Sequence, residues 1–209
     1  EIWKSSRVSK KRMQWGTHHE DHATAALLRM LPTARVYECE FLAHPSIDWI
    51  GASPDGLLEI DDDAGTTHRI SLEYKCPGEK PNGGWKSLSS PHYYYMGQIH
   101  LEMAVSKTTS TLFVVWTPTY CKIWYIPFHR GFYQELLRFM AYHKANEWTY
   151  GQFNLLRKQL KDYADHHVAK TAIPLHPRGG LPAMGEWNPR GWVKPPEIHV
   201  PQYNCRQNA

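Results

Sequence analysis

Two strand-like runs tied by an acidic turn restrict this chain's fold more than any other feature. Gly56 to Ile60 and Arg69 to Lys75 read as strands, and Asp61-Asp62-Asp63-Ala64-Gly65 between them has the Asp/Gly chemistry of a hairpin turn. In the second run Ile70, Leu72 and Tyr74 alternate with Ser71, Glu73 and Lys75. Alternation at a period of two gives one apolar face and sets Glu73 beside Lys75 on the other. The hairpin carries Ser53-Pro54-Asp55-Gly56, at the start of the first strand, towards Glu73 on its partner. Two converging carboxylates repel and take up protons unless a hard cation sits between them. Magnesium uses such oxygen ligands and keeps waters for a substrate phosphate, while a lysine on the same face orients water or offsets charge at phosphorus. Metal-assisted phosphodiester hydrolysis needs this set. The plainer alternative is an exposed Glu73–Lys75 ion pair with Asp55 as a turn residue.

The flanking sequence supplies the rest of a sheet and its helices. A helix is expected from Thr17, with Thr17 as cap and Glu20 closing a capping box, ended by Pro32. Arg35 to Leu42 and Asp48 to Ala52 read as strands, and Pro77 to Gly84 as a loop. Tyr93 to Val105 has helical spacing, Thr111 to Thr117 and Lys122 to Ile126 are β-rich runs around Pro118, and helices are expected over Phe132 to Trp148 and Gln152 to Val168. Strands in the middle with helices at both ends give an α/β or α+β sheet flanked by helices. The 209 residues suit one domain with a small appendage, without internal repeats.

Charge is segregated behind a net value of +4. Residues 1–13 are net +4, residues 14–168 net −3, and residues 169–209 net +3. Basic ends on an acidic body are either phosphate-contacting arms or solubilising termini. The last 41 residues hold seven of the fifteen prolines together with Trp187 and Trp192. Proline excludes helix and central strand there, so an extended arm lying on the body or on a neighbouring subunit is expected. Cys39, Cys76, Cys121 and Cys205 are widely spaced, which suits a reduced intracellular protein without a structural zinc site. No run is long enough to span a bilayer and no leader pattern is read, so no membrane contact is expected.

Four motifs in order extend this reading. Gly51-Ala52-Ser53-Pro54-Asp55-Gly56-Leu57 and Leu72-Glu73-Tyr74-Lys75-Cys76-Pro77 are preceded by Gly16-Thr17-His18-His19-Glu20 and followed by Tyr95-Met96-Gly97-Gln98. Together they resemble the phage lambda-type exonuclease, or YqaJ-like recombinase nuclease, branch of the PD-(D/E)XK superfamily. The resemblance implies a restriction-endonuclease-like α/β fold for the body, while the Pro/Trp-rich extension has no counterpart in the family. With the charge and proline distribution, the chain divides into a basic segment 1–13, a nuclease domain 14–151, a helix 152–168 and a Pro/Gly/Trp-rich basic extension 169–209. The resemblance assigns Mg²⁺, with Mn²⁺ as substitute and two ions per site, to Asp55, Glu73 and the Tyr74 backbone carbonyl. Lys75 then assists the attacking water, Glu20 helps position it, and Gln98 hydrogen-bonds into the site. Ser53 would touch a 5′-phosphate, with Ser6, Arg7 and Arg12 as further phosphate-binding candidates. The family's longer N-terminal phosphate grip has no secure counterpart here, and the Asp55–Glu73 hairpin is longer than usual.

The implied activity is a 5′→3′ exonuclease on the ends of linear double-stranded DNA, releasing 5′-mononucleotides and leaving a 3′ strand for recombination or repair. A single-strand annealing protein and a homotrimer are the implied partners. Two alternatives stand: a structure-specific or restriction-like endonuclease, and a catalytically silent DNA-binding protein on the same fold. His18-His19-Glu20-Asp21-His22 lacks the spacing and third ligand of a zinc site. The Tyr93-Tyr94-Tyr95 run either stacks bases or packs a helix face.

Overall fold

The hairpin forms in the register that the alternation requires, and the remaining elements assemble around it. The computed structural model describes residues 14–62, 64–79, 83, 88, 90–145 and 150–175. After a helical stretch at residues 14–18 the elements are α1 (Glu20–Met30), β1 (Arg35–Tyr37), β2 (Leu42–Ala43), β3 (Gly51–Ala52), β4 (Gly56–Asp61) and β5 (Thr67–Lys75). They continue as α2 (Tyr95–Ser106), β6 (Ser110–Thr117), β7 (Tyr120–Pro127), α3 (Arg130–Ala145), α4 (Tyr150–Tyr163) and β8 (Ile173–Leu175). A π-helical turn, Ala164–Val168, and a 3₁₀ turn, Ala169–Thr171, extend α4.

Six strands form the main sheet in the order β1-β4-β5-β6-β7-β8, and β2 pairs with β3 apart from it. β5 and β6 are parallel while their neighbours pair antiparallel. A parallel pair needs a crossover, and the chain between β5 and β6 contains α2. This crossover matters for function, because it returns a helix across the sheet beside the end of β5.

Alternation sorts side chains into two cores. Ile70, Leu72 and Tyr74 of β5 join Leu112 and Val114 of β6 against Ala23, Leu27 and Leu31. On the opposite face Phe113 and Val115 meet Met96, Ile99 and Met103 of α2, with Phe132, Ala164 and Val168. β6 is thus apolar on both sides, as a central strand covered by helices must be. The result is the expected α/β arrangement, a mixed and mostly antiparallel sheet flanked by helices.

Two local expectations are corrected. Thr17 caps nothing: residues 14–18 are already helical, and α1 starts at Glu20 after His19, whose side chain makes no cap bond. The His19 Nδ1–H is used instead on the Trp15 carbonyl, at 2.8 Å. The single strand read over 35–42 breaks after Tyr37, where the ladder with β4 ends at the Tyr37↔Leu57 pair. The chain then pairs Leu42–Ala43 with Gly51–Ala52. At the start of the proline-rich region Pro174 lies in β8 opposite Trp124, at the sheet edge, where a missing N–H is tolerated. The rest of the expected C-terminal arm and the 1–13 segment lie outside the described residues, as do Ser6, Arg7 and Arg12. Among the described residues no helix is long and apolar enough to cross a membrane.

Candidate active site

The β4–β5 ladder runs from Asp61↔Thr67 to Gly56↔Leu72, so one further step sets Asp55 opposite Glu73. Opposed residues of an antiparallel pair share a face. Beyond Gly56 the β4 backbone no longer accompanies β5, and the Asp55 carboxylate serves as acceptor in its place. Its Oδ2 takes the Tyr74 N–H at 2.6 Å. The two sequence motifs are therefore joined by a hydrogen bond. Gly56 lets this happen: a Cβ there would lie 3.0 Å from the Tyr37 carbonyl and 3.4 Å from the Leu72 side chain.

Glu73 is fully buried at the centre of the cluster. Its Oε1 accepts from the Lys75 ammonium and, at 2.9 Å, from Nε2 of Gln98. The second Gln98 proton goes to Oε1 of Glu102 at 2.8 Å. Glu102 is likewise buried, and the remaining oxygens Glu73 Oε2 and Glu102 Oε2 have no hydrogen-bond partner. Lys75 lies over the Tyr95 ring, 5.2 Å from its centroid. Glu20 lies in the first turn of α1, within range of the charges of Asp55 and Lys75. The β5 end is fastened to that helix start by Cys76 Sγ donating to the His19 carbonyl at 3.6 Å.

The electrostatics are those of an over-acidic pocket. Burial pushes Asp55 and Glu73 above the ordinary carboxylate range, the charge of Asp55 pushes Glu73 further, and Lys75 pulls both part of the way back. Burial, and then the charge of Glu73, raises Glu102 more strongly. Glu20 is also raised, first by burial and then by Asp55. Burial works against the Lys75 ammonium, but Glu73 and Asp55 outweigh it, so Lys75 is raised and stays protonated. One ammonium thus faces several carboxylates, and two buried carboxylate oxygens are left unsatisfied. Unpaired buried charge is costly, and a hard cation would relieve it. Among the described residues no three His, Cys, Asp or Glu side chains form a complete ligand cage. Asp55 and Glu73 can supply the one or two carboxylates by which magnesium is commonly held, with other positions left to water and phosphate.

The structure brings Asp55, Glu73, Lys75 and Gln98 together, and places Glu20 within range of their charges without a hydrogen bond or ion pair to them. Ser53 is exposed two residues before Asp55. The Tyr74 side chain points into the opposite core, leaving only its backbone at the site. Glu102 and Tyr95 are the members that sequence reasoning missed as site residues. A signal existed for Glu102, since Gln98 and Glu102 stand at i and i+4 on one helix face, but nothing in the sequence says that this face is buried. The histidines after Gly16 enter an aromatic stack: His19 lies on Trp15 at 3.8 Å and on Trp116 at 5.5 Å, with His22 beside Trp116 at 5.4 Å.

Two solved structures share a partial likeness with this chain. A crystal structure of an alkaline exonuclease, LHK-Exo, from Laribacter hongkongensis aligns at 20% identity and TM-score 0.45, over 78% of this chain and 73% of that one. LHK-Exo in complex with dAMP aligns at 20% identity and TM-score 0.47, over the same shares. No curated protein matches the chain. The model of the YqaJ-like viral recombinase domain family matches residues 2–110. That span is more than half of the 209 residues and runs from the N-terminal segment through the sheet hairpin to the first residue of β6. By this match, the chain belongs to the YqaJ-like viral recombinase domain family.

Proposed function

We propose that this protein is a Mg²⁺-dependent nuclease that degrades linear double-stranded DNA from 5′ ends, releasing 5′-mononucleotides and leaving a 3′ single strand. The observation that carries the reading is the meeting of Asp55, Glu73 and Lys75 at the open end of the β4–β5 hairpin, with Glu73 Oε2 buried and unpartnered. Asp55, Glu73 and the Tyr74 carbonyl would hold the metal, one or two ions, with Mn²⁺ able to replace Mg²⁺. Bound there, magnesium supplies Lewis acidity, making water a stronger acid and offsetting charge on the phosphate.

The chain's own groups do the rest. Lys75 is protonated, so it donates a hydrogen bond to the attacking water or to a phosphate oxygen and stabilises negative charge as it grows. Gln98 holds Glu73 and Glu102 together through its two amide protons, which keeps the Glu73 carboxylate fixed. Glu20 adds a carboxylate at the α1 start for positioning water or Lys75. Ser53, exposed at the rim, is the described candidate for a 5′-phosphate contact. A ring-shaped homotrimer and a single-strand annealing partner complete the proposal.

Cleavage of end-labelled linear duplex, with and without a 5′-phosphate, is the test, run beside covalently closed circles and across a Mg²⁺ titration. Linear DNA should be shortened from its 5′ ends only when metal is present, and circles should survive. Cut circles would establish an endonuclease instead. Binding of both substrates without cleavage at any Mg²⁺ or Mn²⁺ concentration would make the protein a silent DNA-binding module.

A further inference from the structure

A groove of about 510 Å³ lies beside the carboxylate cluster, between the start of α2 and the face of α4. Tyr93 and Tyr94 form one wall; Asn154, Arg157, Lys158 and Lys161 line the other. The four α4 residues stand at i, i+3, i+4 and i+7, so they share one helix face. All four are exposed, and among the described residues no acidic side chain lines the groove. Lys161 lies over the Tyr93 ring at 5.0 Å from its centroid. Tyr94, 55% exposed, offers a further ring to solvent.

The groove also connects to the chemistry. The Tyr94 hydroxyl donates to the Tyr95 hydroxyl at 2.7 Å, and the Tyr95 ring carries Lys75. At its rim is Gly97, the residue before Gln98. A chain of side-chain contacts, Lys75 to Tyr95 to Tyr94, therefore links the cluster to a strip of aromatic faces and cations.

Aromatic rings beside a track of cations suit single-stranded nucleic acid, whose bases stack on the rings while its phosphates meet the cations. A duplex would keep its bases stacked on each other and could not use the rings in this way. We infer that the groove between Tyr93–Tyr94 and the Arg157–Lys158–Lys161 face binds single-stranded DNA, the strand left by resection. The identity of that strand rests on the nuclease reading; the groove's preference for single strands does not.

The test uses the full chain and a fluorescein-labelled oligothymidylate of about 12 nucleotides, within the usual site size of such grooves. Anisotropy is measured in EDTA across a salt series. The variants are the triple Arg157→Gln/Lys158→Gln/Lys161→Gln and the charge-keeping Arg157→Lys/Lys158→Arg/Lys161→Arg. The glutamine triple should bind at least about tenfold more weakly, and the slope of log affinity against log salt should fall by about 2, the value for three lost phosphate contacts. The charge-keeping triple should bind like the parent. Thermal melting of both triples, expected to match the parent, gives the folding control.

Unchanged affinity and slope in the glutamine triple would overturn the groove proposal even if the protein cleaves DNA. Loss of binding that accompanies a changed molar mass in light scattering would overturn it too, by making the face a subunit contact. A parent protein that binds the oligonucleotide with the expected slope but cuts no DNA with either metal would instead remove the nuclease reading and leave the groove standing.

Discussion

Asp55 holds two roles that a pair of substitutions separates. Its carboxylate accepts the Tyr74 N–H, which fastens the two motifs, and its charge contributes to the acidic pocket. Asp55→Asn keeps an oxygen for the hydrogen bond and loses the charge. Its stability should stay within about 0.5 kcal/mol of the parent, while metal-dependent cleavage should fall more than about a hundredfold. Asp55→Ala loses both and should cost a further ~1–2 kcal/mol in urea unfolding; equal stability of the two variants would refute the fastening role. Lys75→Ala should abolish cleavage and leave DNA binding nearly intact, because the ammonium acts on the reacting phosphate rather than on the rest of the duplex. Lost binding with a normal rate at saturation would contradict that assignment. His100 gives a prediction away from the site. Its Nδ1–H donates to the Met96 carbonyl and its Nε2 accepts the His129 N–H at 3.0 Å, so the ring is neutral and doubly bonded. Burial lowers its pKa from 6.5 to about 4. A depressed imidazole contributes stability that is complete above the unfolded value, near 6.5, and is lost as pH falls towards the folded value. That difference corresponds to roughly 3 kcal/mol. The buried carboxylates titrate in the opposite sense but alike in parent and variant, so the urea midpoint of His100→Gln, with a side chain that does not titrate, should shift in its favour relative to the parent as pH falls from 7 to 4.5; a constant difference would contradict the assignment.

The hairpin is the element that makes the site, and its glycine is the point at which the fold and the chemistry depend on one atom. Gly56→Ala would press a Cβ against the Tyr37 carbonyl at 3.0 Å, and a backbone neighbour cannot swing aside. A loss of ~1–3 kcal/mol is expected from the forced shift of β1, together with slower cleavage as Asp55 moves relative to Tyr74. Gly97→Ala is the contrast, because its Cβ would meet only Leu136 at an ordinary 3.7 Å, and removing a helix-interior glycine should stabilise α2 by about 0.5–1 kcal/mol. Melting temperatures that move the same way in both variants would contradict the close-approach argument. The hairpin was legible in the sequence because a period of two and an Asp/Gly turn are local signals; the observed strands Gly56–Asp61 and Thr67–Lys75 extend the expected ones by one and two residues. The cluster of Asp55, Glu73 and Lys75 followed from that register. What escaped depends on distant partners. The break after Tyr37 is set by where pairing with β4 ends, the use of Pro174 in a strand by the free edge of β7, and the role of Glu102 by burial of a helix face that its own sequence leaves ambiguous. Thr17 failed as a cap for a similar reason, since the helical stretch at residues 14–18 places it inside a turn.

Across the whole molecule, charge is distributed in opposition to the chemistry of the centre. The body from 14 to 168 is net −3 and contains the carboxylates of the pocket, while residues 169–209 carry five basic residues against Glu186 and Glu197. A centre that concentrates carboxylates also repels DNA phosphates, so cations outside it must supply the attraction. The face of α4 with Arg157, Lys158 and Lys161 is one such source, and the C-terminal extension is a second. Testing the second requires care over where the chain is cut, because β8 completes the sheet: Ile173, Pro174 and Leu175 pair with Tyr125, Trp124 and Ile123, and Leu175 is buried in the α1-side core. A chain ending at Val168 would lose that strand and Leu175, at a cost of about 2 kcal/mol or more from the apolar burial alone. A chain ending at Leu175 keeps the sheet whole and removes Arg178, Arg190, Lys194 and Arg206. The chain ending at Leu175 should melt like the parent, bind duplex DNA more weakly with a flatter salt dependence, and cleave at an unchanged rate once saturated. The one ending at Val168 should melt earlier as well. If the chain ending at Leu175 binds DNA with the parent's affinity and salt slope, the extension contributes no phosphate contacts, and the attraction comes from the body's own basic faces or the N-terminal segment.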